Sequence, residues 1–218
     1  MRPPCPMRPR RRPALVAVAL VAGLAAGCAE TGESTLAARR MPADTDAAPG
    51  HFVHCSGHSC RQTRQLGFTA DEWAQITAPL REPVPTAPAE RAALAQVVAL
   101  FETAVAPKAG TGADIGGTFP GMWRPGQLDC VDESWNTGTL LRLLAGDGLL
   151  RWHAPGPPAQ RGLAAGGWPH VTATVVESRG GGRYAVDSWF EDNGRPAHIV
   201  SLDAWITGWK PPPQIADR

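Results

Sequence analysis

Cys130, His170 and Asp187 occur in that order along the chain and offer a thiol, an imidazole and a carboxylate. These are the three parts of an activated cysteine nucleophile, in which the imidazole takes the thiol proton, the carboxylate orients the imidazole, and sulfur attacks a carbonyl carbon. The other cysteines single out Cys130. Of the five in the chain, Cys5 precedes a long apolar run, Cys28 ends it, and Cys55 and Cys60 flank a Ser-Gly-His-Ser turn short enough for them to bridge. Cys130 is then left over. Gln127, three residues earlier, could present its amide to the oxyanion that forms during attack, or be an ordinary loop residue.

The elements around these residues set their geometry. Asp129 is a helix N-cap candidate, and Val131, Trp135, Leu140, Leu141 and Leu144 form an apolar face that ends at Gly146-Asp147-Gly148, so Cys130 is expected to open a helix. The free N–H groups and positive dipole end of a first turn favour thiolate over thiol. They could also receive the oxyanion. Asp129, Asp132 and Glu133 are oxygen donors that could hold calcium, and equally are the cap and first-turn charges a helix start favours.

His170 begins a run in which Val171, Ala173 and Val175 alternate with Thr172, Thr174 and Val176, and a second alternation, Tyr184, Val186, Ser188 and Phe190, follows the turn signal at 178–182. An antiparallel hairpin with Thr172 opposite Asp187 sets His170 diagonal to Asp187 on the same face, about 7 to 8 Å away at Cα. A slip of one residue would separate them. His153 and His198 are alternative bases. His153 falls in a stretch broken by Pro155, Pro157 and Pro158 and is expected in a loop.

Elsewhere, Thr69-Ala70-Asp71-Glu72 has the form of a capping box before a short helix reaching Arg81. Residues 89–106 place Leu94, Val97, Val98, Phe101 and Val105 on one helical face, with Pro107 as the expected stop. A Gly- and Pro-rich loop over 108–125 leads to the cysteine. Ile199-Val200 reads as a short strand and Ser201 as the cap of a terminal helix ending near Gly208. Helices before a sheet argue an α+β fold.

The N-terminus indicates where the thiol works. Arg2, Arg8, Arg10, Arg11 and Arg12 precede an apolar run over 14–27, too short to span a bilayer, which ends Leu24-Ala25-Ala26-Gly27-Cys28. This resembles the bacterial lipobox, and the resemblance implies a signal peptide over 1–27, acylation of Cys28 and a lipid-anchored protein facing the periplasm. An ordinary signal peptide cut near Ala26 is the alternative, and the mature chain is exported in both. Residues 28–50 read as a flexible tether and 51–218 as one domain. The chain has 21 basic and 20 acidic residues, so removing the five leader arginines leaves a mildly acidic protein without the basic patch that nucleic acid requires. His51, His54, Cys55, His58 and Cys60 could hold zinc or copper, but an oxidising compartment favours the disulfide.

Gln-Leu-Asp-Cys-Val-Asp-Glu-Ser around Cys130, Trp-Pro-His-Val-Thr-Ala around His170 and Tyr-Ala-Val-Asp-Ser-Trp around Asp187 resemble motifs of the transglutaminase-like branch of the papain fold, which includes bacterial transglutaminase-like cysteine proteinases. The resemblance spans residues 127–209, within a core motif region of 120–210. It implies a papain-like α+β domain with Cys130 as nucleophile, His170 as base and Asp187 as orienter, acting on a peptide or amide bond of a protein or peptide substrate through a thioester. Hydrolysis and transamidation share the acyl-enzyme, and a small water-exposed site argues for hydrolysis. No organic cofactor is implied. Some bacterial members bind calcium beside the cysteine, which again points to Asp129, Asp132 and Glu133. A non-catalytic binding module using Trp168, Trp189 and Trp209 as an exposed contact surface is the competing expectation.

Overall fold

The computed structural model describes residues 46–117, 123–162 and 169–212. The expected leader, Cys28, most of the expected tether and Trp168 lie outside the described residues. Among those described, the chain is α+β, with five helices and two antiparallel sheets.

A hairpin comes first, β1 (Phe52–Ser56) and β2 (Gln62–Leu66), paired from Phe52 opposite Leu66 to Ser56 opposite Gln62. It was not expected from the sequence, because β2 is exposed along nearly its whole length and shows no alternation. The end of the supposed tether belongs to this unit. Ala48 and His51 exchange backbone hydrogen bonds, and Phe68 N–H donates to the carbonyl of Pro49.

The capping box at Thr69 forms as the sequence suggests, with Thr69 and Glu72 bonding reciprocally. The helix it opens, α1 (Ala70–Ile76), breaks at Thr77 before a one-turn α2 (Ala78–Arg81). The long helix α3 (Ala87–Ala109) runs past residue 106 and through Pro107, ending at Gly110 with a left-handed φ of 81°. Its length and apolarity would let it cross a membrane. Here its buried residues Leu94, Val97, Val98, Phe101 and Val105 join the main core with Phe52, Phe68 and Trp73.

The helix α4 (Cys130–Gly146) follows, and then a four-stranded sheet in the order β3 (His153–Arg161), β4 (His170–Glu177), β5 (Arg183–Asp187), β6 (His198–Ser201). The proline-rich segment thus forms edge strand β3, a correction to the expected loop. Prolines are tolerated there because an edge strand has one side free of ladder bonds, and the ladder is interrupted between Gly156 and Ala159, where the two prolines lie. A Cβ on Gly156 would come within 2.4 Å of Thr174 Oγ1, so only glycine allows this approach to β4.

Leu140, Leu141, Leu143 and Leu144 of α4 share a core with Ala173, Val175 and Val186 on one face of the sheet. The other face carries Ala159 and Ala185, covered by Leu202 and Trp205 of α5 (Leu202–Ile206). The segment entering β3 is tied to α3 by Glu90, a fully buried carboxylate that accepts from the N–H groups of Arg151, Trp152 and His153 and from His153 Nδ1.

Candidate active site

The register of β4 and β5 pairs Ala173 with Val186 and Thr174 with Ala185. Continued by one residue, it sets Thr172 opposite Asp187, as the sequence pattern suggested. His170 and Asp187 therefore share a face. His170 Nε2 donates to Asp187 Oδ2 at 2.7 Å, with both residues buried at 5% and 2% exposure. Trp205 Nε1 donates to the same oxygen, also at 2.7 Å. The imidazole is walled by Trp189, Phe190 and Trp205, with ring centroids at 4.8, 5.3 and 5.4 Å.

Cys130 is the first residue of α4 and the free cysteine of the described residues. It comes to the pair around the end of the sheet, where β4 starts and β5 stops. The N–H of Val171, the residue after His170, donates to its sulfur, and the charge of Asp187 acts on it. The three residues are thus brought into one region. The other histidines belong elsewhere: His153 donates to Glu90 and accepts from Arg91, while His198 donates to Glu191 at 2.8 Å.

The electrostatics of the thiol overturn one expectation. Burial, together with the carboxylates of Asp129 and Asp187, pushes Cys130 up to about 12, although the N–H groups of Val171 and of Cys130 itself act in the opposite sense. Burial is the largest cause, and the helix cap adds to it. Asp129 Oδ1 accepts from the N–H groups of Val131 and Asp132 at 3.1 and 2.9 Å, so the donors expected to favour thiolate and receive an oxyanion are already used by a negative side chain. At neutral pH Cys130 is a protonated thiol.

Asp129 and Asp132 are also bound from the other side. The turn of the disulfide Cys55–Cys60 lies over the start of α4, where Asp132 accepts from the N–H groups of His58 and Cys60 at 2.9 and 2.7 Å and Asp129 accepts from Ser59 N–H at 2.8 Å. Both cysteines of the histidine-rich segment are thereby committed to each other. His54 is buried against the core, and desolvation with the nearby Arg64 charge lowers it to about 4, so it is neutral. Of the residues considered for a cation, His58, Asp129 and Asp132 have donor atoms within 4.8 Å of one another. Glu133 is not among them.

Glu133 turns inward. Its Oε2 accepts from Ser188 Oγ at 2.7 Å, and it lies with Glu102 of α3 and Asp114 of the loop after α3 in a buried acidic group. Gln127, only 4% exposed, donates through its amide to Asp114, so that amide is engaged within the group. Burial raises Glu102 to about 8, helped by the Asp114 charge, and Asp114 to about 6, helped by the Asp192 charge; burial with the charges of Glu102 and Asp114 raises Glu133 well above its ordinary value. Sequence reading missed Glu102, Asp114 and Ser188. Their positions share no periodicity, and only packing of α3, α4 and the loops brings them together. Trp189 and Trp209, expected as an exposed surface, are half-buried against His170, Phe190 and His198, whereas Trp123 is 74% exposed.

Fold and site together describe an α+β protein with a buried histidine–aspartate pair beside a helix-opening thiol. No known family model, curated protein or solved structure matches the chain.

Proposed function

We propose that the chain is an exported, lipid-anchored cysteine hydrolase with a papain-like, transglutaminase-like core, acting on a peptide or amide bond from the periplasmic face of the membrane. The observation that carries the reading is the buried His170–Asp187 hydrogen bond at 2.7 Å, next to a free thiol at the start of α4. Asp187 occupies Nε2, which leaves the lone pair of Nδ1 to take a proton. Because the resting thiol is neutral, proton transfer from sulfur to imidazole accompanies attack rather than preceding it.

The S–C bond forms as the carbonyl becomes tetrahedral, the imidazolium returns its proton to the leaving amine, and the C–N bond breaks to give a thioester on Cys130. Water then attacks the thioester, with His170 again as base, and restores the thiol with release of the acid. An amine in place of water would make the product a transamidated one, so amidase and transglutaminase chemistry share this site.

Acylation by p-nitrophenyl acetate tests the reading. Mass spectrometry should find one acetyl group on Cys130, none in Cys130→Ala, and a rate at least about 100-fold lower in His170→Ala. Acetylation elsewhere, or an unchanged rate without His170, would overturn it. The raised thiol favours the second reading, a non-catalytic envelope module of the same fold, and this assay separates the two.

A further inference from the structure

Arg161 is a buried cation that the proposed reaction does not use. It ends β3 directly opposite His170, which begins β4, and residues opposite each other in an antiparallel pair point to the same face. Ala159 precedes Arg161 by one full pleat and Ala185 precedes Asp187 in the same way, so these residues share the face that α5 covers. The small alanine side chains leave room there for the indole of Trp205, which is fully buried.

A buried indole N–H needs an acceptor, and for Trp205 it is Asp187 Oδ2. The indole is presented by α5, a helix of five residues that is too short to hold its shape alone. Beyond the helix, Gly208 takes a left-handed φ of 102°, and its N–H donates to the Trp205 carbonyl at 3.1 Å. Arg161 Nη1 donates to that same carbonyl and to the carbonyl of Trp209, both at 2.7 Å. The guanidinium also lies over the Trp205 ring, with Cζ 4.5 Å from the centroid. Arg161 thus grips Trp205 by its backbone and by the face of its ring. Burying a guanidinium is costly where an apolar side chain could fill the space. Burial disfavours its charged form, while the two carbonyls, the aromatic face and the carboxylate of Asp187 favour it.

We propose that Arg161 is a positioning residue that clamps the end of α5, holds the Trp205 indole on Asp187, and through Asp187 keeps the His170 ring in one orientation and one tautomer. The proposal rests on reading His170 and Asp187 as the working pair of Cys130. Without the clamp, α5 shifts over the small alanines beneath it and the indole N–H leaves Asp187 Oδ2. The carboxylate is then free to turn away from His170 Nε2.

The test is NMR of the full chain carrying Cys130→Ala at about pH 7.5, following the Trp205 indole proton and the ring nitrogen shifts of His170, which report its tautomer. In Arg161→Met, which keeps an apolar stem and loses the clamp, the indole proton should exchange with water at least about 10-fold faster, and the nitrogen shifts should move toward the average of the two tautomers. Arg161→Lys, with a charged donor on a shorter stem, should change both in the same sense but less, and it carries the test if Arg161→Met does not fold. Trp205→Phe removes the indole N–H and should move the His170 shifts by itself. Adding Arg161→Met or Arg161→Lys to it should move them no further, because Arg161 acts through Trp205. A residue that merely stabilised the fold would leave the indole exchange and the His170 shifts of the folded protein as they are in the parent chain. That result, or a further change in the double variant, would overturn the proposal. The readout does not involve the thiol, so failure of acylation at Cys130 and failure of this clamp are seen separately.

Discussion

At the residue scale, the oxygen Oδ2 of Asp187 accepts two hydrogen bonds, from His170 Nε2 and Trp205 Nε1. An ionised carboxylate can do this, and the result is a histidine held in the tautomer with its proton on Nε2 and in one ring orientation. In Asp187→Asn one acceptor oxygen is replaced by an NH2 group that only donates, and the tautomer preference is lost. Acylation of Cys130 in that variant should fall by about 10³-fold or more, measured as the release of p-nitrophenol in the assay above. A fall of only a fewfold would show that the carboxylate does not orient the base. His153 makes an equally buried pair with Glu90, but that pair stitches β3 to α3 and has no thiol beside it. Pairing with a carboxylate therefore does not by itself set His170 apart; what does is that its neighbour Val171 donates to the sulfur of Cys130.

At the scale of elements, the start of α4 and the β1–β2 turn form one unit. His58, Ser59 and Cys60 all adopt left-handed backbone conformations, with φ of 66°, 56° and 54°. Such conformations are costly for residues other than glycine, and here their N–H groups are directed onto Asp129 and Asp132, which offsets the cost. The disulfide Cys55–Cys60 holds the turn in that shape across a separation of five residues. Closing so short a loop stabilises the fold by about 2 kcal/mol in the chain-entropy account. Paired replacement Cys55→Ala with Cys60→Ala should lower stability in urea by about that amount. It should also speed amide exchange in the first turn of α4, which a disulfide detached from that helix would not do.

At the scale of the whole molecule, several carboxyl groups inside it hold their protons more tightly than carboxyls in water do. Glu102, Asp114, Asp132 and Glu133 all have raised values, chiefly through burial. A carboxyl raised in the folded state keeps a proton the unfolded chain has released, so its stabilisation is complete below the unfolded value and is lost as pH rises through the folded one. For Glu102 that loss extends to about pH 8 and for Asp132 to about 7. His54, lowered to about 4, works the opposite way, and its contribution is complete above its ordinary value of 6.5. Between 6.5 and 8 the carboxyls act without opposition from His54, and the thermal unfolding midpoint should fall as pH rises through that window. A midpoint that rises there would show that the acidic group is ionised in the folded protein.

The pattern of the chain carried the parts that depend on local rules. Alternation on either side of the turn signal set the β4–β5 register and with it the His170–Asp187 face, and Asp129 ahead of an apolar helical face located Cys130 at the start of α4. Capping preferences likewise marked Thr69 and Ser201, and the short spacing of Cys55 and Cys60 marked their bridge. What the local rules could not carry was the environment of each charge. The first turn of α4 reads as a place for a thiolate, yet its N–H groups are filled by Asp129, and burial makes Cys130 a thiol. Glu133 reads as a first-turn charge or cation ligand, yet it is drawn inward to Ser188, Asp114 and Glu102, residues far apart in the chain. Periodicity and capping act over a few residues and survive in the sequence, whereas desolvation and charge repulsion depend on which distant segments close over a group, and only the packed chain decides that.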